Sequence, residues 1–275
     1  MDIYKEVTDR IMAQLENGII PWQKPWIASG NTVSHVTGNS YSLLNQMLLG
    51  RPGEYVTFAQ CQKEGGKVKK GEKSSMVVFW KFIEQEDPDT KEKKQVPFLR
   101  YFNVFHIDQC EGLKAKHQKE LPNTANAHDA ADVIIHDYCE RSGVKLQHKE
   151  GDRAFYQPSS DSITLPLLAQ FAETAEYYST AFHELTHSTG HASRLNRLEK
   201  TAFFGTEAYS KEELVAEIGA ATLVNAAGLE TSSSFRNSAA HIQNWLKVLS
   251  DDKRFIVSAA GKAEKAVNLI LGAEG

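Results

Sequence analysis

Residues His183, Glu184 and His187 form an H-E-x-x-H motif, the feature that most constrains how this 275-residue chain can fold. The preceding segment is rich in helix formers, and its apolar residues recur at helical spacing, which predicts a helix ending near Gly190. Positions i and i+4 share one face of a helix, so both imidazoles can bind one Zn²⁺. Glu184 can then act as general base on a water that the metal polarises. The motif therefore predicts metal-dependent hydrolysis of an amide, with Glu184 as the catalytic residue.

Such a site needs a third protein ligand, and the sequence offers three candidates. His191 is one, but on a continued helix it would lie too far along the axis to share one tetrahedral ion with both motif histidines. Residues 210–219 predict a second, buried helix that carries Glu213 and Glu217 one turn apart. Two buried carboxylates are costly unless they serve a cation. We expect Glu213 to bind the metal and Glu217 to hold a ligand imidazole by its free N–H, and the reverse assignment is the alternative. Glu213 could instead close a capping box with Ser210. Mn²⁺ or Co²⁺ could replace Zn²⁺, because first-row ions share such sites.

The segment before the motif helix predicts two short strands joined by a turn, over residues 153–166. Residues 162–165 could be an edge strand to which a substrate peptide adds, closed by Pro166. An ordinary core hairpin would give the same pattern.

Composition and charge narrow the class of protein. The chain contains no run of about 18 apolar residues, so we expect no membrane span. No signal peptide is visible. The three widely spaced cysteines indicate reduced thiols. We therefore expect a cytoplasmic protein. Residues 1–120 carry 17 basic and 15 acidic side chains, net +2, and residues 121–275 carry 14 and 20, net −6. Any nucleic-acid surface is therefore expected in the first half.

The N-terminal half places aromatic rings near a lysine-rich loop. Residues 61–73 form a glycine-rich loop of net charge +3, and residues 75–83 and 97–107 predict an aromatic hairpin. Single-stranded nucleic acid can stack its bases on such rings while the lysines contact its phosphates. Aromatic residues on strands are, however, commonly part of the apolar core. The candidate contacts are Trp22, Lys24, Trp26, Lys67, Lys69, Lys70, Lys73, Trp80 and Tyr101.

Several longer strings of residues resemble those of ArdC-type antirestriction proteins over nearly the whole chain. In the first half they include Pro21-Trp22-x-x-Pro25-Trp26, Gly38-x-x-Tyr41-x-x-x-Asn45 and Tyr101-Phe-Asn-Val-Phe105. In the second half they are Tyr156-x-Pro158-x-x-Asp161, His183 to Leu195, and Glu213-Leu-Val-Ala-Glu217.

The resemblance implies an α+β protein of two domains. Residues 1–113 would be a single-stranded-DNA-binding domain with an antiparallel sheet, residues 114–128 a linker, and residues 129–275 a zincin-like metallopeptidase domain related to SprT and Spartan proteases. It adds Tyr41 and Asn45 to the candidate DNA contacts.

The resemblance also implies a protein carried by a conjugative plasmid or phage that protects incoming DNA from host restriction endonucleases. Its protein substrate would be a DNA-bound host protein. Two alternatives stay open at this stage. The first is a binding protein that shields DNA sterically, with a structural metal site. The second is a peptidase without a nucleic-acid role.

Overall fold

The computed structural model describes residues 2–23, 32–86, 93–117, 127–198, 207–229 and 239–273. The fold is α+β, as predicted. The helices of the described ranges are α1 Ile3–Glu16, α2 Leu43–Leu49, α3 Phe58–Lys63, α4 Ala127–Ser142, α5 Thr174–Ser188, α6 Glu207–Ala226, α7 Ala239–Asp251 and α8 Phe255–Leu271. The strands are β1 Thr32–Ser34, β2 Gly53–Thr57, β3 Lys67–Val68, β4 Ser75–Glu86, β5 Lys93–His106, β6 Cys110–Glu111, β7 Lys145–His148, β8 Phe155–Gln157 and β9 Ser162–Leu165.

The first half is built around a four-stranded sheet of order β1-β2-β5-β4. Strands β4 and β5 form the predicted antiparallel hairpin, while β3 and β6 make a separate two-stranded ladder. Helix α1 begins at the capping residue Asp2, whose carboxylate accepts hydrogen bonds from the backbone N–H groups of Tyr4 and Lys5. Its apolar face buries Val7, Ile11 and Leu15 against the core, at the four-residue spacing seen in the sequence.

In the second half, α5 packs against a three-stranded sheet of order β7-β9-β8, and α4, α6 and α8 each pack against α5. Strand β9 pairs in parallel with β7 and antiparallel with β8, so it is the central strand. The expectation that residues 162–165 form an edge is therefore wrong. The sequence pattern could not show this, because the partner strand β7 lies more than ten residues upstream and is mostly polar.

One apolar core contains residues from both halves of the chain. Trp22 is fully buried and packs edge-on against Trp245, with 5.2 Å between ring centroids. Thr8 donates a hydrogen bond of 2.7 Å to the carbonyl oxygen of Lys253, and the backbone N–H of Leu43 donates one of 3.2 Å to Glu264. The domain limits at 113 and 129 stay predictions, and most of the expected linker lies outside the described residues. Within the described ranges, no helix is long and apolar enough to cross a membrane.

Candidate metal centre and nucleic-acid surface

Helix α5 carries the motif on its buried side. His183 and Glu184 are 9% and 7% exposed, and His187 lies one turn further on. Helix α6 crosses α5 at Gly219, where a side chain would collide with Thr186: a Cβ built there lies 2.6 Å from the Thr186 methyl carbon. This close approach brings Glu212, Glu213 and Glu217 of α6 next to the two histidines.

The histidines and Glu213 converge on one point. The two Nε2 atoms are 3.1 Å apart, and the Glu213 carboxylate oxygens lie 3.5 Å from His183 Nε2 and 3.3 Å from His187 Nε2. A tetrahedral ion with bonds of about 2.0–2.1 Å would hold its ligand atoms about 3.3 Å apart. The donor set therefore fits such an ion in both chemistry and spacing. Among the described residues, these three form the group of His, Cys, Asp and Glu side chains that can hold a metal.

The outer nitrogen of each histidine faces a different glutamate. His187 Nδ1 lies 3.2 Å from Glu212, and His183 Nδ1 lies 3.7 Å from Glu217. Glu217 is thus placed as expected for a partner of a ligand imidazole, although its role stays a prediction. Glu212 was missed by the sequence analysis. The adjacent pair Glu212-Glu213 was its visible signal, because neighbouring helix residues can reach two sides of one imidazole.

Electrostatics at the centre favour a bound positive charge. Burial disfavours the charged form of His187, but hydrogen bonds to Glu212 and Glu213 outweigh this and raise its pKa to about 10. Burial alone would raise the pKa of Glu213, yet its contacts with both histidines lower it well below the usual range. A histidine must be neutral to bind a metal ion through its ring nitrogen. Binding of a cation would therefore displace a proton from His187.

His191 does not join the cluster. This histidine lies four residues beyond His187, past the end of α5, and its Nδ1 is 2.8 Å from the hydroxyl of Ser193. The loop after α5 instead contributes Arg194 and Arg197, whose guanidinium groups reach back to carbonyl groups of that helix.

The candidate nucleic-acid contacts divide into exposed and buried residues. Trp22, Tyr41 and Asn45 are buried, so they present no surface to a base or phosphate, which corrects the expectation for these three. Asn45 instead bonds both backbone groups of Val78 on the outer strand β4. Lys24 and Trp26 lie outside the described residues. The remaining candidates are exposed: Lys67, Lys69, Lys70, Lys73, Trp80 and Tyr101.

The hairpin exposes aromatic rings on both of its faces. Trp80 pairs with Leu99 and Phe79 with Arg100, so Trp80 and Phe79 point to opposite sides. The exposed fractions are 46% for Trp80, 42% for Tyr101, 45% for Phe79 and 44% for Phe102. Phe79 and Phe102 contact each other, with 5.6 Å between ring centroids. The sequence did not single them out, because residues that alternate with exposed positions along a half-buried strand ordinarily face the core.

Comparison with known proteins gives the family. Residues 1–105 match the family described as the N-terminal domain of anti-restriction factor ArdC, and residues 134–262 match a zincin-like metallopeptidase family. The metal-free crystal structure of the antirestriction ArdC protein from plasmid R388 is 37% identical, covers 99% of this chain and 98% of its own, and superimposes with a TM-score of 0.77. This chain belongs to the ArdC antirestriction family.

Other relatives extend this result. The Mn(II)-bound structure of the same plasmid protein is 36% identical over 99% of this chain and 98% of its own, with a TM-score of 0.78. An uncharacterized protein, y4eC, of Sinorhizobium fredii is 30% identical over 96% of this chain and 90% of its own length. Two DNA primases TraC of Escherichia coli are 36% and 35% identical over 98% of this chain. The chain spans 20% and 27% of the length of those two primases.

Proposed function

We propose that this ArdC-family protein is a DNA-binding zinc metallopeptidase that protects incoming DNA from restriction in the bacterial cytoplasm. The observation that carries the enzyme part is the convergence of three donor atoms at 3.1–3.5 Å beside Glu184. His183, His187 and Glu213 would hold Zn²⁺. Mn²⁺ is an alternative, because first-row ions share such sites and the R388 relative has been solved in a Mn(II)-bound form.

The chemistry divides between the metal and the chain. A bound Zn²⁺ would polarise a water and the scissile carbonyl. Glu184 directly follows the first ligand on α5 and is 7% exposed. Its proposed role is to take up the proton of the attacking water and return it to the leaving amine. Because Glu213 and the two histidines come from two packed helices, their spacing is fixed before substrate arrives.

The structure also offers an edge for an extended peptide. Strand β8 is an outer strand of the three-stranded sheet, and its Phe155 is 43% exposed. Helix α5 packs against both β8 and β9, so a peptide added to β8 would run beside the motif helix. We propose this edge, in place of the central β9, as the substrate-binding strand.

The enzyme part is tested by Glu184→Gln in the full chain, with Glu176→Gln at the start of α5 as matched control. Glu184→Gln should keep one bound metal per chain and lose cleavage of proteins bound to single-stranded DNA, because only the proton acceptor is removed. The control should behave as the wild type. If Glu184→Gln protects DNA from restriction as well as the wild type does, peptidase chemistry is not the means of protection and steric shielding replaces it.

The DNA part rests on the exposed lysines and aromatic rings of the first half. Replacing Lys67, Lys69 and Lys70 by Ala should lower affinity for a fluorescent single-stranded oligonucleotide and flatten its salt dependence. Lys145, Lys149 and Lys262 in the second half supply a matched triple variant. Loss of binding in both triple variants alike would contradict a localised surface.

The two faces of the hairpin can be separated in the same assay. Trp80→Ala with Tyr101→Ala should weaken binding by about 1–3 kcal/mol per lost base contact. Phe79→Ala with Phe102→Ala removes a comparable exposed area from the opposite face. The pair of substitutions that lowers the affinity identifies the face on which bases stack. If neither pair changes the affinity, stacking on the hairpin is excluded.

A further inference from the structure

Arg197 is a buried cation that does not touch the donor atoms. Its side chain is 6% exposed and lies in the loop that folds back over the end of α5. It donates to the carbonyl oxygen of Thr186, to the hydroxyl of Thr189 at 2.5 Å, and to both carboxylate oxygens of Glu212 at 2.9–3.2 Å. A buried guanidinium with this many acceptors is held in one orientation.

Glu212 connects that arginine to a candidate ligand. Its carboxylate is 14% exposed and lies 3.2 Å from His187 Nδ1, on the ring edge opposite to Glu213. The structure therefore contains a continuous line of hydrogen-bonding groups: Arg197, Glu212, the His187 ring, and the point where the donor atoms meet.

This line should control the metal centre in two ways. A carboxylate that accepts the Nδ1–H fixes the imidazole tautomer and its orientation, leaving Nε2 free to bind. Glu212 is also adjacent in sequence to Glu213, so without restraint its carboxylate could turn toward the cation. Two bonds from Arg197 occupy both of its oxygens and oppose that movement.

We propose that Arg197 and Glu212 are positioning residues that set the metal affinity and geometry of the centre. The inference rests on the proposed metal site at His183, His187 and Glu213. It adds a role for the loop after α5, which supplies the arginine from outside both ligand helices.

Arg194 supplies a matched control. It lies in the same loop, is 7% exposed, donates to the Ser188 carbonyl at 2.9 Å and pairs with the carboxylate of Asp161 at 2.5 Å. Both arginines thus join the end of α5 to a carboxylate, but only the carboxylate bound by Arg197 contacts a candidate ligand. Arg194→Gln should lower the thermal stability of the full chain and leave its zinc affinity within about twofold of the wild type.

The experiment measures Zn²⁺ affinity by competition with a chromophoric chelator, and the visible spectrum of the Co²⁺-loaded protein. Glu212→Gln and Arg197→Gln should each lower zinc affinity by about 10–100-fold and shift the Co²⁺ bands. Since Arg197 acts through Glu212, the double variant should bind zinc no more weakly than the single variant with the lower zinc affinity. Arg197→Lys should recover part of the loss, because it keeps the charge without the two-pronged contact.

The outcomes separate the inference from the proposed function. Wild-type affinity and an unchanged Co²⁺ spectrum in folded Arg197→Gln would overturn the positioning role while leaving the metal site intact. Equal losses for Arg194→Gln and Arg197→Gln would also overturn it, because they would indicate general destabilisation. Absence of zinc binding in the wild-type chain would reject the metal site itself.

Discussion

At the scale of single residues, Glu213 and Glu217 lie one turn apart on α6 but approach different atoms. Glu213 faces the Nε2 atoms of both histidines, whereas Glu217 lies 3.7 Å from His183 Nδ1. Replacing Glu217, which faces a ligand imidazole and not the donor atoms, should lower zinc affinity by about 10–100-fold. We predict a larger loss for Glu213→Gln, because it removes a proposed ligand. Chelator competition on both variants checks this order. A larger loss for Glu217→Gln would support the reverse assignment.

Another buried carboxylate lies in the first half of the chain, on strand β2. Glu54 is 3% exposed and accepts hydrogen bonds from His35 Nδ1 at 2.5 Å and from the backbone N–H groups of Lys116 and His117 at 2.6 Å. Burial alone would raise the pKa of Glu54, but these bonds outweigh it and lower the pKa below 4.5. The carboxylate therefore ties the segment at 116–117 to strand β2.

The lowered pKa of Glu54 fixes the sign of a pH effect. The ionised Glu54 carboxylate stabilises the folded chain fully at pH values above 4.5, its pKa in the unfolded chain. This stabilisation is lost as the pH falls through the lower pKa that Glu54 has in the folded chain. Glu54→Gln should cost about 1–3 kcal/mol near neutrality and make the free energy of unfolding less dependent on pH below 4.5. Urea unfolding at several pH values measures both effects. A pH slope equal to that of an exposed control, Glu140→Gln, would mean that Glu54 carries no such linkage.

The residues that the sequence identified are those whose partners are close in the chain. His183, Glu184 and His187 could be predicted because helix geometry alone brings them together. The contact between Arg197 and Glu212 could not, since it depends on how a loop and a second helix fold onto α5. Trp22 illustrates the opposite error: its ring resembled a stacking platform, but its partner Trp245 lies more than 200 residues away.

At the scale of elements, the crossing of α5 and α6 determines whether the metal centre can form. Gly219 meets Thr186 with no space for a methyl group, and the nearest Thr186 atoms would be 2.6 and 2.7 Å from an added Cβ. Both helices could be predicted from their periodicity, but their contact could not, because Gly219 carries no apolar signal. A small residue at this crossing matters for packing more than for helix propensity.

We predict that Gly219→Ala forces the two helices apart. Alanine favours the helix by about 0.8–1.0 kcal/mol over glycine, but the overpacking should cost about 1–3 kcal/mol. Zinc affinity should fall as well, because Glu212, Glu213 and Glu217 move with α6. Thr186→Ala in the same chain removes both clashing atoms and should restore affinity. Thermal unfolding and chelator competition check this, and a Gly219→Ala protein with wild-type zinc affinity would contradict it.

At the scale of the whole molecule, the two halves share a core although their charges and sequence motifs differ. Helix α1 packs against α7 and α8, and α2 packs against α8. Charge distinguishes a first half of net +2 from a second half of net −6 in the sequence. Neither charge nor periodicity can say what an apolar helix face packs against. The four-residue spacing of Val7, Ile11 and Leu15 identifies the apolar face of α1. Spacing cannot identify Trp245, Phe255 and Ile256, which share the core with that face.

This shared core predicts that the first half does not fold alone. A fragment of residues 1–113 would expose Val7, Ile11, Leu15 and Trp22, each at most 1% exposed in the full chain. It would also lose the bonds from Thr8 to Lys253 and from Leu43 to Glu264. Burial of such side chains is worth about 1.5–3 kcal/mol each, comparable in sum with the net stability of a small domain. We expect the fragment to unfold without a cooperative urea transition and to bind a dye for exposed apolar surface.

The matching test in the full chain is Trp245→Ala, which removes the second-half partner of Trp22. The substitution should lower the free energy of unfolding of the full chain by about 3–5 kcal/mol. Both halves should still unfold in one urea transition, with a lower midpoint. A fragment 1–113 that unfolds cooperatively with the midpoint of the full chain would show that the shared core adds little to the first half. If the prediction holds, loss of DNA protection by the isolated first half reflects unfolding, so shielding and peptidase mechanisms must be separated in the full chain with Glu184→Gln.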